Sequence, residues 1–439
     1  MRSITPLLVL FAFVGTTLSA GGASWAQEAP DVAREGGVEF VPGEIVVDAD
    51  PKGEGDVRVV QVPAADTLTE LRREAREAAG PGVVAAPNYV YKVGPTPVDV
   101  EDPGPPESEP STDRVAAQAL DNLPNDPFFA NTGDTTPPND QQVNLREALF
   151  VAAWRANHGS KAELGVVDTG FDQDHPELAP KILAQYDFVE EDAVAQEAPN
   201  DTHGTGVAGI AAGVTDNSAG IASAGWNAKI NFARACEPDR CSSEDTAPAI
   251  DFVRQQGSEV INLSFAGPAQ DAVLQAAVQR ALDANIVVVA AAGNTGGTQS
   301  GPEVLYPAGY AGVLGVGSTN AKGTSTPADA TRSAFSTYGP HVDVVVSSEV
   351  DDQRDIVVTC ERDVATTGYC RQQGTSFSSP QVAGLVALVT SETPSLTAAQ
   401  IANRVQNQAA DLGPAGRDDE YGRGIINAKC SVNPGANGC

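Results

Sequence analysis

Residues Gly374–Gly384 read GTSFSSPQVAG, a serine-rich lead-in to small and apolar residues that continue from Val382 to Val389. The run predicts a close-packed, buried helix with Ser376 at its threshold and Pro380 inside the first turn, where proline costs little. A helix N-terminus leaves backbone N–H groups unpaired and carries positive potential, so a serine there gains alkoxide character beside donors for a developing oxyanion. Ser376 is therefore a candidate nucleophile. A Thr/Ser cap on an ordinary core helix would read the same way, and what separates the two readings lies upstream.

Three earlier segments carry matching chemistry. ELGVVDTG is an apolar strand, Leu164 to Val167, ending in Asp168 with a turn glycine at Gly170. HGTGVAGIAAG sets His203 before a Gly/Ala-rich helix able to pack closely, and IVVVAAAGN is a β-branched run from Ile286 that delivers Asn294 just beyond its end. Each group stands at a strand's carboxyl end or a helix's amino end, and in an open parallel α/β sheet those ends meet in one crevice. A serine hydroxyl needs a base to become a nucleophile, and histidine titrates near neutral pH. Of the four histidines, His158, His175 and His341 fall in polar loops, and only His203 opens a close-packed helix.

In this order, Asp168, His203, Asn294 and Ser376, the chain resembles the subtilisin-like serine proteases (subtilases, peptidase S8) over roughly residues 120 to 430. The order differs from the Ser, Asp, His order of α/β-hydrolases, and Ser378 stands where their nucleophile elbow has glycine. The resemblance implies Ser376 as nucleophile, His203 as general base and then acid, Asp168 as orienter of the imidazole, and Asn294 as oxyanion donor. It implies polypeptide substrates and no cofactor for catalysis. Ser264, Phe265, Ala266 and Gly267, with Ala291, Ala292 and Gly293, match the family's substrate cleft, whose edge takes an extended peptide by strand addition. Leu305, just before Tyr306-Pro307, falls at the base of the primary specificity pocket, where no acid stands. Uncharged residues N-terminal to the cut bond are expected, with packing in the core an alternative role for Leu305. A structural calcium ion is implied at Glu177 and Asn217 with the carbonyls of Thr215, Ala219 and Ile221, a dry hydrogen-bonded turn being the alternative. The chain departs from the family at Glu177, where aspartate is usual, and at Gly206 and Gln381, where histidine is frequent.

The 439 residues accommodate one large α/β domain and a small one. Residues 1–26 read as a signal peptide: a basic start, an apolar core from Leu7 to Val14, and the small-x-small Ser24-Trp25-Ala26. The expectation is a secreted, extracellular monomer with no membrane association after signal cleavage. Six cysteines agree with export, and pairing of the near neighbours Cys236/Cys241, Cys360/Cys370 and Cys430/Cys439 is the simplest connectivity. A formal charge of -31 argues against partners such as nucleic acid or anionic membrane.

Residues 27–93 read as a small α+β unit: strands PGEIVVDAD and VRVVQV, an amphipathic helix TLTELRREAREAA, and VVAAPNYVYKV as a closing strand pair. By position and by its PGEIVV and APNYVY segments it resembles a ferredoxin-like, I9-type inhibitory propeptide, which would make the chain's own N-terminal unit a partner of its active site. Residues 94–123 form a Pro-rich acidic linker, with seven prolines from Pro95 to Pro124. Residues 124–439 are the peptidase domain, beginning at NDPFF and a helix REALFVAAWRA. There strands and helices alternate, predicting a largely parallel sheet with helices on both faces. The reading is a secreted serine endopeptidase matured by propeptide removal. Its alternatives are a catalytically silent subtilase scaffold that binds peptides or a partner protein, and a processing protease dedicated to one partner.

Overall fold

The structure is a computed structural model that describes residues 32–62, 65, 67–94, 123–130, 142–296, 298–321, 330–350 and 354–439. Residues 1–26, read above as a signal peptide, and nearly all of residues 94–123, read as a linker, lie outside the described residues. Four strands and a helix come first: β1 (Ala33–Glu35), β2 (Val38–Asp48), β3 (Val57–Gln61), α1 (Leu68–Ala78) and β4 (Val84–Val93). Then follow β5 (Glu163–Asp168), β6 (Ile182–Asp187), α2 (His203–Ala212), β7 (Lys229–Arg234), β8 (Cys236–Glu237), β9 (Arg240–Ser242) and α3 (Ser243–Gln255). Next come β10 (Val260–Leu263), β11 (Phe265–Ala266), α4 (Ala272–Asp283), β12 (Val287–Ala291), β13 (Leu314–Ala321) and β14 (Thr331–Arg332). The last strands are β15 (Val344–Val350), β16 (Arg354–Thr359) and β17 (Tyr369–Gln372), followed by α5 (Thr375–Glu392) and α6 (Ala398–Asn407).

The central sheet runs β17-β16-β15-β13-β12-β10-β5-β7-β6. All pairs from β15 to β6 are parallel, while β16, β17 and the short β14 add antiparallel edges. Neighbouring residues of a strand bury into opposite layers, as a period of two requires. Val166, Val260 and Val287 join the layer of α2 and α5, whereas Val167, Ile261 and Val288 join the layer of α3 and α4. The sheet is thus covered on both faces, as the alternation of elements predicts.

The N-terminal unit packs on α3 and α4 rather than standing apart. Its helix α1 is fixed by a reciprocal capping box between Thr67 and Glu70 and buries Leu68, Leu71 and Ala75. Its strands continue into the rest of the chain, because β4 pairs with β2 on one side and with both β9 and β11 beyond. Buried polar contacts reinforce this seam. Arg280 on α4 donates to Asp48 at 2.5 Å and to Asp251 at 2.5 and 3.0 Å, and Asn88 donates to both Glu44 and Glu244.

Three local expectations are corrected. VVAAPNYVYKV is one long strand with a short lead-in, not a strand pair; Pro87 lies beside the register shift of β2 between Phe40 and Ile45, where a missing N–H is tolerated. REALFVAAWRA is not one helix: Leu149, at φ 62°, separates Val143–Glu147 from Phe150–Trp154, so that Leu145 and Trp154 both reach the core. Pro380 falls in the second turn of α5, and the carbonyl of Ser376 that it cannot bond accepts from Ser264 Oγ at 2.9 Å instead. The three cysteine pairs are the local ones, Cys236–Cys241, Cys360–Cys370 and Cys430–Cys439.

Candidate active site

Asp168 ends β5, His203 opens α2, and Ser376 lies in the first turn of α5, so three elements deliver their side chains to one edge of the sheet. Asp168 Oδ1 accepts from Thr169 N at 2.8 Å and meets His203 Nδ1 at 2.6 Å. That contact makes Nδ1 the protonated nitrogen and leaves Nε2 free to accept. Burial opposes charge on the imidazole, but the charge and hydrogen bond of Asp168, with the charge of Asp201 added, outweigh it and hold the His203 pKa above its ordinary value. Asp201 also braces the histidine backbone, accepting from His203 N at 3.1 Å.

The close approach of α2 to its neighbours depends on missing side chains. A Cβ at Gly204 would lie 2.1 Å from Gly170 O, and one at Gly209 would lie 1.8 Å from Thr359 Oγ1. At Gly206, where subtilases often carry histidine, an added Cβ would press on the Phe377 ring at 3.0 Å and on Val358 at 3.2 Å. Gln381, the other departure, is buried and bonded to Ser347 O, Phe377 O and Asn144. The remaining histidines are structural: His175 bonds Gly368 O, His341 bonds Ala292 O, and His158 stacks on Trp226.

Asn294 follows β12. Its amide oxygen accepts from Thr375 N at 3.0 Å and Thr375 Oγ1 at 3.1 Å, which turns its amide nitrogen, a double donor, away from that anchor. Thr375 also holds Gly293 N at 3.1 Å; no signal in the sequence singled it out. Phe265, Ala266, Gly267, Ala291, Gly293 and Leu305 all line the cleft that reaches Ser376. Ser264 lies beneath it, accepting from Ser376 Oγ at 3.1 Å. Ala292 is a correction: its N–H bonds Val316 O and its carbonyl bonds His341, so it faces the core rather than substrate. Leu305 is 3% exposed, and its Cδ1 stands 2.4 Å from where a Gly293 Cβ would be, so it packs closely against Gly293 in the cleft wall. Glu303, which the sequence reading did not place here, lines the same cleft and accepts from Thr295 Oγ1 at 2.9 Å.

The cleft holds a strand of this same chain. The end of β4 runs antiparallel to β11, Val93 opposite Phe265 and Lys92 opposite Ala266, while its other edge meets β9 at Tyr91/Cys241 and Lys92/Arg240. Gly94 then lies against Ser376 and His203, a Cβ built on it falling 2.7 Å from Ser376 Oγ and 3.2 Å from His203 Nε2.

The expected cation site is oxygen-rich. Glu177 is buried; its Oε1 accepts from Tyr369 OH at 2.7 Å and Ile221 N at 3.2 Å, and its Oε2 has no partner. Burial pushes its carboxyl well above the usual range, with Tyr369 opposing and the nearby Asp126 adding to the rise. Asn217 Oδ1 accepts from Ala219 N at 2.8 Å, and Asp126, which sequence reasoning missed, accepts from Asp216 N and Asn217 N. An orphaned buried carboxylate oxygen, with a second buried carboxylate near enough to repel it, fits a hard cation with oxygen ligands.

An α/β sheet delivering Asp, His and Ser in this order to one crevice defines a serine peptidase of the subtilisin type. The chain belongs to the subtilase family, whose pattern matches residues 159–424, and it is a serine endopeptidase. It is similar to thermitase of Thermoactinomyces vulgaris, 34% identical over 310 residues covering 70% of this chain and 99% of that protein. Subtilisin DY of Bacillus licheniformis is 31% identical over 275 residues, 62% of this chain and 92% of its own length. The crystal structure of fervidolysin from Fervidobacterium pennivorans, a keratinolytic enzyme related to subtilisin, aligns with a TM-score of 0.66. That alignment has 22% identity and spans 91% of this chain and 62% of fervidolysin, a likeness of fold.

Proposed function

We propose that the chain is a secreted subtilase made as a prepropeptide, in which residues 1–26 are the signal peptide and 27–93 an inhibitory propeptide. Residues 94–123 are then the linker cut during maturation, and residues 124–439 the peptidase. The observation that carries this reading is β4 lying on β11 with Gly94 against Ser376, the pose of an extended peptide in a substrate groove.

In the mature enzyme Ser376 Oγ attacks the substrate carbonyl carbon while His203 Nε2 takes its proton; the carbonyl π pair moves onto oxygen, where the Asn294 amide donates to it. The C–N bond then breaks as Nε2 returns the proton to the departing amine, leaving an acyl-Ser376 ester. Water deprotonated by the same nitrogen cleaves the ester and restores the hydroxyl. The 2.6 Å contact of Asp168 with Nδ1 supports its role in holding the tautomer and stabilising the imidazolium. Leu305 favours uncharged residues N-terminal to the cut bond, since a Lys or Arg over it would be desolvated while the acid of the cleft, Glu303, is engaged by Thr295.

Glu177 and Asn217, with carbonyls of Thr215, Ala219 and Ile221, would hold calcium, which steadies the fold and takes no part in the chemistry. Chelation should lower the melting temperature and leave turnover at low temperature intact; an unchanged melting temperature at matched ionic strength excludes the ion. The reading as a whole is tested by expressing the wild type and Ser376→Ala in a host lacking extracellular proteases, labelling with a fluorophosphonate, and sequencing the N-termini. A labelled, N-terminally shortened wild type beside an unlabelled, full-length Ser376→Ala is expected. A wild type that neither labels nor cuts casein indicates a silent scaffold.

A further inference from the structure

The strand end at Gly94 does more than cover the serine. In a working dyad the serine hydroxyl donates to the histidine nitrogen that will take its proton. Here Ser376 Oγ donates to Ser264 O at 3.1 Å, and His203 Nε2 is buried without a hydrogen-bond partner. The space beside both atoms is where Gly94 lies, its missing Cβ pointing at Oγ and Nε2 from 2.7 and 3.2 Å. Real Cβ atoms essentially never come within 3.0 Å of an atom from a non-adjacent residue, so any other residue here requires the strand tip or the Ser376 hydroxyl to shift. Val93, one residue back, is held on both sides, by its pairing with Phe265 and by its N–H bond to Asp239 O, so the strand cannot simply slide away from a clash.

We propose that Gly94 is a wedge that uncouples Ser376 from His203 in the unprocessed chain, so that the nucleophile is switched off as well as covered. The inference rests on the propeptide reading above and adds to it a residue-level device. Any side chain at position 94 must displace the strand tip or the serine. Displacing the tip lets Oγ swing from Ser264 O to Nε2 and restores the dyad while Tyr91 to Val93 keep their pairing. An inhibitor that only covered the site would behave differently, because alanine would then seat as an ordinary substrate residue and leave inhibition unchanged.

The test follows the full-length chain from the start of refolding with a small fluorophosphonate, reading label on the unprocessed and mature bands separately. General-base assistance contributes about a hundredfold to ten-thousandfold, so the wild-type unprocessed band should label at least about a hundredfold more slowly than the mature band. In Gly94→Ala the unprocessed band should label within about tenfold of the mature one. Gly80→Ala, whose Cβ would meet nothing within 4 Å, should behave as wild type and controls for glycine replacement in the same unit. A second readout needs no variant. Mature labelling should fall on acidification as His203, which is flanked by Asp168 and Asp201 with Glu197 buried behind them, takes up a proton, whereas labelling of the unprocessed wild type should lack that limb. Unprocessed Gly94→Ala labelling as slowly as wild type, or an acid limb shared by both wild-type bands, overturns the wedge. If no mature band labels in any chain, the peptidase reading itself fails.

Discussion

At Asp168 and His203 the balance between burial and charge decides the pH response. Burial alone would depress the imidazole pKa, yet Asp168 and then Asp201 raise it above the ordinary value. The base works only when neutral, so activity is lost as pH falls through this raised pKa. The acid limb of kcat/KM in the mature enzyme should accordingly lie above about pH 6.5. Asp168→Asn removes the charge and the correct tautomer together; kcat should fall about ten-thousandfold and the limb should move down. A limb that stays in place in Asp168→Asn would assign it to another group. Leu305 makes a second prediction at this scale. Leu305→Gly opens the cleft wall beside Gly293, so kcat/KM for a substrate with phenylalanine before the cut bond should rise about tenfold or more relative to alanine. An unchanged ratio in a substrate series would place Leu305 in the core only. Asp168, His203, Asn294 and Ser376 could be picked out in the sequence because each follows an apolar strand or opens a run of small, buried residues. Thr375, Glu303 and Asp126 were not, since their roles come from contacts with residues distant in the chain and no local pattern marks them.

Among the elements, β4 carries the argument furthest, because its two edges pair with β2 behind and with β9 and β11 ahead. Its extended character was readable, but neither its single uninterrupted length nor its continuation into the groove was: apolar alternation says that a strand exists and is silent about its partner. The same holds for β9, a three-residue strand anchored by the Cys236–Cys241 disulfide, which forms the groove's second wall. What holds β2 and β4 down on α3 and α4 includes the buried guanidinium of Arg280 between Asp48 and Asp251. Asp48→Ala leaves Arg280 one carboxylate short, which should cost about 1.5–3 kcal/mol of full-length stability. Urea unfolding of the Ser376→Ala chain, kept intact by its dead nucleophile, measures this. Since Asp251 still satisfies Arg280 on two nitrogens, the loss should stop short of unfolding. A midpoint equal to that of the Asp48-containing chain would remove the ion pair from the seam.

For the molecule as a whole, acidity and burial act in the same direction. Burial pushes Glu147 up to about 7, with a hydrogen bond from Ser347 opposing it. Burial likewise pushes Asp245 up to about 8, with Ser242 opposing and Glu244 and Glu237 adding repulsion. In the unfolded chain both return to about 4. The folded state therefore holds more protons than the unfolded one between these values, and the slope of unfolding free energy with pH is negative there. The stability these two groups contribute is fully present below about pH 4 and is lost as pH rises through about 7 and 8. A formal charge of -31 adds self-repulsion to the compact state as remaining carboxylates ionise, again favouring acid over alkali in this window. The urea midpoint of Ser376→Ala, in constant excess calcium, should thus fall between about pH 5.5 and about pH 8.5. Glu147→Gln combined with Asp245→Asn should flatten that fall, because neither replacement can ionise. A midpoint that rises with pH over the same range would mean that Lys181, which burial pushes down to about 7 and which sheds its proton more readily in the folded chain, dominates the titration of the fold.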